Sequence, residues 1–126
     1  MPLKWAAART AARATIYKIC PASLWQAAIA DGIFRGSPVD LADGYIHFST
    51  AAQAEETATK YFAHQDDLVL VAFDDAMLGA DVRYEASRGG QLFPHLYASL
   101  DPKLVLWVKP LPLRADGGHI FPDLAP

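Results

Sequence analysis

The chain is poor in the residues that mark several common chemistries. It has a single cysteine, Cys20, which excludes an internal disulfide and a cysteine-built zinc cage. That usage is expected in a reducing compartment, the cytoplasm by default. Charge is scarce and nearly balanced, with 11 Lys and Arg against 14 Asp and Glu. Without a basic stripe there is no electrostatic footprint for nucleic acid, which is disfavoured as a partner. Long apolar runs are also missing: none approaches the ~18 residues of a membrane-spanning helix, so no membrane partner is expected. The opening MPLKWAAARTAARA sets Lys4, Arg9 and Arg13 among alanines but lacks the apolar run that follows the basic start of a secretory signal. Residues 1–14 therefore read as a flexible extension. There is no internal repeat, no H-E-x-x-H pair and no G-x-S-x-G elbow. His47, His64, His95 and His119 stand at no helical ligand spacing, and no metal is expected.

What is present suits one domain with a real core, over residues 15–126. ATIYKIC (14–20) is short and rich in β-formers, so it predicts a strand with Ile16, Lys18 and Cys20 on one face. PASLWQAAIADG follows with helix signals: Ser23 as cap, Gln26 as its capping-box partner and Gly32 as a left-handed stop. A connector bearing Gly and Pro leads to YIHFS, a strand, after which Thr50 and Gln53 repeat the capping-box spacing before a helix over 51–62. Ala51, Ala54, Ala58 and Tyr61 would share its apolar face. LVLVAF (68–73) and LVLWV (104–108) are unbroken apolar runs, expected for interior strands. VRYE (82–85) is a strand, and LFPHLYASL carries Pro94, which points to an edge or bulged strand. The tail DGGHIFPDLAP reads as turn chemistry and loose ends, with His64 and His119 on the surface. Early helices followed by strands on hairpin-length loops give an α+β class.

Alternation along the strands sorts the candidate site. Tyr45, His47 and Ser49 share one face, against Ile46 and Phe48 on the other. Arg83 and Glu85 share a face, and so do Phe93, His95 and Tyr97. Three strands thus each offer a polar face with ionisable groups, and the expectation is one pocket holding His47, Glu85 and His95 with Tyr45, Ser49 and Tyr97 on its wall. The plainer reading stands beside it. A lone histidine among apolar residues is ordinarily a satisfied hydrogen bonder, and Thr50 is most simply a helix cap.

IYKI, LWQAAIADG, DGYIHFSTAAQ, YE, FPHLY and LVLWV, taken in order, resemble the domain of unknown function 952 family over about Thr15 to Pro122. The resemblance implies an ADP-ribosyltransferase-like fold: two packed, mostly antiparallel sheets with short helices and a nicotinamide-nucleotide cleft between them. It places Lys18 at the first-motif position, GYIHFST at the second, where a strand ending in Ser/Thr enters a helix behind the nicotinamide pocket, and Glu85 at the acidic third. The implied function is a cleft for NAD or a related nucleotide, with NAD as substrate for ADP-ribosyl transfer or glycohydrolysis. Glu85, His47 and His95 would be catalytic, and Lys18, Tyr45, Ser49, Thr50 and Tyr97 would hold the ligand. The alternative is a non-enzymatic small-molecule-binding or interaction module in which these polar residues are structural.

Overall fold

The computed structural model describes residues 14–126, so the expected N-terminal extension, apart from Ala14, lies outside the described residues. Strand β1 (Thr15–Pro21) is paired antiparallel on both sides. Its sheet has the order β3-β1-β4-β7, completed by β3 (Ser49–Thr50), β4 (Leu68–Asp74) and β7 (Trp107–Leu111). A second antiparallel sheet has the order β2-β6-β5, from β2 (Ile46–His47), β6 (Leu92–Leu96) and β5 (Val82–Ala86). Among the described residues there are also four short α-helices, α1 (Ala22–Asp31), α2 (Pro38–Asp43), α3 (Ala54–Tyr61) and α4 (Asp75–Leu78), and three 3₁₀ turns. The class is α+β.

The larger sheet is covered on both faces, which is why LVLVAF is apolar without alternation. Ile16, Cys20, Val71 and Phe73 pack with Ile46 and Leu96 of the smaller sheet and Trp25 of α1. Tyr17, Ile19, Leu68, Leu70 and Ala72 pack on the opposite side with Ala58 of α3 and Leu111. Each large side chain so buried contributes about 1.5–3 kcal/mol. Lys18 shares the face of Ile16 and Cys20 and therefore points toward the smaller sheet.

Several expectations are corrected. Helix α1 starts at Ala22 with Pro21 at its N-cap and no side-chain cap, so Ser23 and Gln26 do not form a box. Gly32 does stop it, at φ 79, donating to the Ala28 and Ile29 carbonyls. Helix α3 starts at Ala54 after a turn, although Gln53 Oε1 still accepts from the Thr50 amide at 3.0 Å. Tyr61 is exposed instead of joining Ala54 and Ala58 in the core.

LVLWV is no interior strand: Leu104 closes a 3₁₀ turn capped by Asp101, and β7 lies at the sheet edge. Pro110, facing Val69, has no N–H for a further neighbour. LFPHL, by contrast, is the central strand of its sheet, despite Pro94. The tail is not loose. Phe121 and Leu124 cover the outer face of the larger sheet, and the Ala125 carbonyl accepts from Tyr17 Oη at 2.6 Å. His64 is exposed, but His119 is buried with Nε2 2.7 Å from the Gln65 carbonyl. Among the described residues no helix is long and apolar enough to cross a membrane.

Candidate functional site

Pro94 explains where the site lies. Strand β2 pairs Ile46 with Leu96 and His47 with His95, and the next rung is half made: the Phe48 amide donates to the Pro94 carbonyl at 3.0 Å. The N–H and C=O of one strand residue point to the same side, so the return bond would come from the N–H that proline lacks. The ladder stops there. Ser49 and Thr50 then pair with Tyr17 and Ile16 of the other sheet. His47 therefore sits where the chain crosses between sheets.

Beneath it lies Asp40, a residue that sequence reasoning missed. Its carboxylate receives Lys18 Nζ at 3.0 Å (Oδ1) and 2.7 Å (Oδ2), the Ser37 amide at 2.8 Å and the His47 amide at 3.1 Å, while His47 Nδ1 lies 2.6 Å from Oδ1. Burial alone would raise this carboxyl. The His47 hydrogen bond and the Lys18 charge outweigh it and hold the group well below the usual carboxylate range. Asp40 is placed by α2, a helix where a connector is expected from the sequence. Ser37, Pro38 and Asp40 form a helix start with proline at N1 and a capping-box acid at N3, a readable signal. Gly36 (φ 121) is required as well, since a Cβ there would stand 2.7 Å from that of Asp40.

A second acid–imidazole pair adjoins the first. His95 Nδ1 lies 2.8 Å from Glu85 Oε1, which also accepts from Tyr97 Oη at 2.7 Å, and the Arg83 guanidinium covers the Tyr97 ring at 4.5 Å. The Tyr97 bond, followed by the His95 bond, draws the Glu85 carboxyl below its ordinary range, and Glu85 in turn raises the Tyr97 phenol. Tyr45 joins the pairs: its ring stacks on His95 at 4.1 Å and 28°, and lies 4.6 Å from His47 and 5.2 Å from Tyr97. Burial, with Asp43 and Glu85 nearby, raises its phenol.

Of the residues expected at the site, Tyr45, His47, Glu85, His95 and Tyr97 form one contiguous cluster, with Arg83 on the same face. Three are placed elsewhere. Lys18 is 5% exposed with its ammonium on both Asp40 oxygens, so it cannot meet a pyrophosphate directly. Ser49 is buried, its hydroxyl 2.9 Å from that of Thr57, because β3 belongs to the other sheet. Thr50 pairs by backbone with β1. A groove of about 270 Å³ opens beside His47, lined by Asp43, Tyr45, Thr57, Tyr61 and Phe62; Glu85 and His95 do not line it. His47 Nε2 is 2.9 Å from Asp43 Oδ2, so this imidazole runs from a buried carboxylate to one half exposed at the groove. Among the described residues no three His, Cys, Asp or Glu side chains are placed to hold a metal ion.

Residues 19–108 match the family described as Protein of unknown function (DUF952). The chain belongs to the DUF952 family. Its fold is similar to the crystal structure of protein CC0527 from Caulobacter crescentus, at 51% identity and TM-score 0.82 over 84% of this chain and 93% of that one. The solution NMR structure of CC0527 agrees, at 52% identity and TM-score 0.75 over 82% and 90%. No curated protein matches. The matched DUF952 segment holds every member of the cluster, and Lys18 stands one residue before it.

Proposed function

We propose that the groove beside His47 binds a nucleotide of the NAD class by its nicotinamide riboside end and hydrolyses the glycosidic bond between nicotinamide and ribose. The observation that carries this reading is the lining: Asp43 and the rings of Tyr45, Tyr61 and Phe62 around one imidazole. A carboxylate with aromatic faces suits a flat, positively charged ring. The resemblance of strand, helix, GYIHFST, helix and later YE to the ADP-ribosyltransferase-like order supports the same ligand class. In this reading His47 hydrogen-bonds ribose and Asp43 stabilises positive charge developing on it. Water oxygen bonds to C1′ as the bond from C1′ to the ring nitrogen breaks. The electron pair of that bond neutralises the nitrogen, and the water proton passes to the His47–Asp43 pair. Glu85 acts through His95 and Tyr97, fixing the rings beside Tyr45.

Titration of the labelled chain with NAD, nicotinamide riboside and ADP-ribose tests this. Saturating shifts at Tyr45, His47 and Thr57 are expected with the first two and weaker ones with ADP-ribose, which lacks the charged ring. No shift at millimolar ligand, a limit of about −4 kcal/mol, overturns it. Nicotinamide release by wild type, lost in Asp43→Asn and His47→Gln, is expected; binding without release leaves a binding module.

A second reading is favoured by Asp40, whose carboxylate ties Lys18 of the larger sheet to His47 of the smaller one. Here the polar network is structural, and His47→Ala lowers the melting temperature by several degrees with no ligand bound by wild type.

A further inference from the structure

We infer that a second hollow, on the Arg35 side of Tyr45, is a phosphate subsite, and that the ligand is a mononucleotide with its ring in the His47 groove and its phosphate on Arg35. This rests on the reading of the groove given above. The hollow measures about 300 Å³ and is lined by Arg35, Gly44, Tyr45, Tyr97 and Ser99, with Asp40 in its wall. Tyr45 lines both hollows, so they share one residue of their walls. Gly44, in the wall of the second hollow, has open space where a side chain would stand.

The two hollows differ in charge. The groove offers Asp43 and neither arginine nor lysine. The second hollow offers Arg35, and its carboxylate, Asp40, is already matched by Lys18 and by the amide and ring of His47. An acidic, aromatic compartment beside one that offers an arginine fits a ligand with a cationic ring at one end and an anion at the other. Arg35 is available for that role. Its partner is Asp31 at 2.6 Å, a pair 62% and 56% exposed, and such surface pairs are weak and readily exchanged. A guanidinium fork takes two phosphate oxygens at once, and the Ser99 hydroxyl can donate to a third.

Isothermal titration of the full chain with nicotinamide riboside and nicotinamide mononucleotide tests the assignment. The mononucleotide should bind about tenfold tighter. Arg35→Gln should erase that advantage and leave riboside affinity unchanged, and Asp31→Asn, which frees Arg35, should enlarge it. Equal affinity of the two ligands for wild type, or an advantage that survives Arg35→Gln, overturns the subsite while the groove stands. Failure of both ligands to bind overturns the reading of the groove and the subsite with it.

Discussion

Two acid–imidazole pairs lie side by side in this molecule, built in opposite senses. In Asp40–His47 the carboxylate is the buried partner, its side chain 1% exposed against 30% for the imidazole; in Glu85–His95 the imidazole is buried, 4% against 36%. A buried carboxylate must be matched on the spot, and Asp40 is matched by a lysine, two amides and a ring. Glu85 needs no such matching, because water reaches it. Burial therefore decides which partner of each pair is fixed as scaffold and which faces solvent. His47 is outward and tied to a rigid base; His95 is inward and serves as the floor on which Tyr45 stacks.

The largest expected effect tests the buried acid. Asp40→Ala strands the Lys18 ammonium without a partner and should cost about 3–5 kcal/mol in urea unfolding. A loss no greater than that of Glu85→Gln would break the contrast. Next come the imidazoles. His95→Ala removes the surface under Tyr45 and should cost about 2–3 kcal/mol, whereas His47→Ala, which leaves Asp40 one bond short, should cost about 1 kcal/mol. The reverse order, measured by the same unfolding curves, would show that His47 is the structural ring.

The acid limb sharpens the comparison further. Both carboxyls are held below their ordinary range in the folded chain. Each therefore adds stability that is complete above the unfolded value near ~4 and is lost as pH falls through the folded value. Asp40→Asn should flatten this limb in urea midpoints measured from neutral to acid pH. Added salt should shrink only the part contributed by solvent-facing Glu85. The smallest effect is Glu85→Gln at neutral pH, where the midpoint should fall only slightly, because the carboxylate faces solvent, while the Tyr97 phenol, no longer beside an anion, titrates at lower pH in ultraviolet absorbance. An unchanged Tyr97 titration would mean that their bond does not persist in solution.

Much of the site was legible because strands sort residues by parity. Tyr45 with His47, Arg83 with Glu85 and His95 with Tyr97 share faces as alternation requires, and their contacts follow. The reading failed at Ser49, whose parity was right but whose sheet was not. It also failed at Asp40, since a six-residue helix is too short to show periodicity and leaves only its cap as a signal. Pro94 and LVLWV misled in a related way. Proline bars one side of a strand, so Pro94 can be central where the facing strand ends, and an apolar run becomes an edge when Pro110 follows it.

By itself the sequence determined the α+β class, the doubly covered strand LVLVAF, the Gly32 stop and the three polar faces. Each follows from local sterics or from the period of side chains along one element. Only the tertiary structure decided that Lys18 would be buried beneath His47, that the chain would change sheets at Phe48, that the tail would cover the core, and that the two acid–imidazole pairs would meet at Tyr45. Those outcomes depend on which strands pair and on where a buried charge finds its partner, and both are settled between segments far apart in the chain.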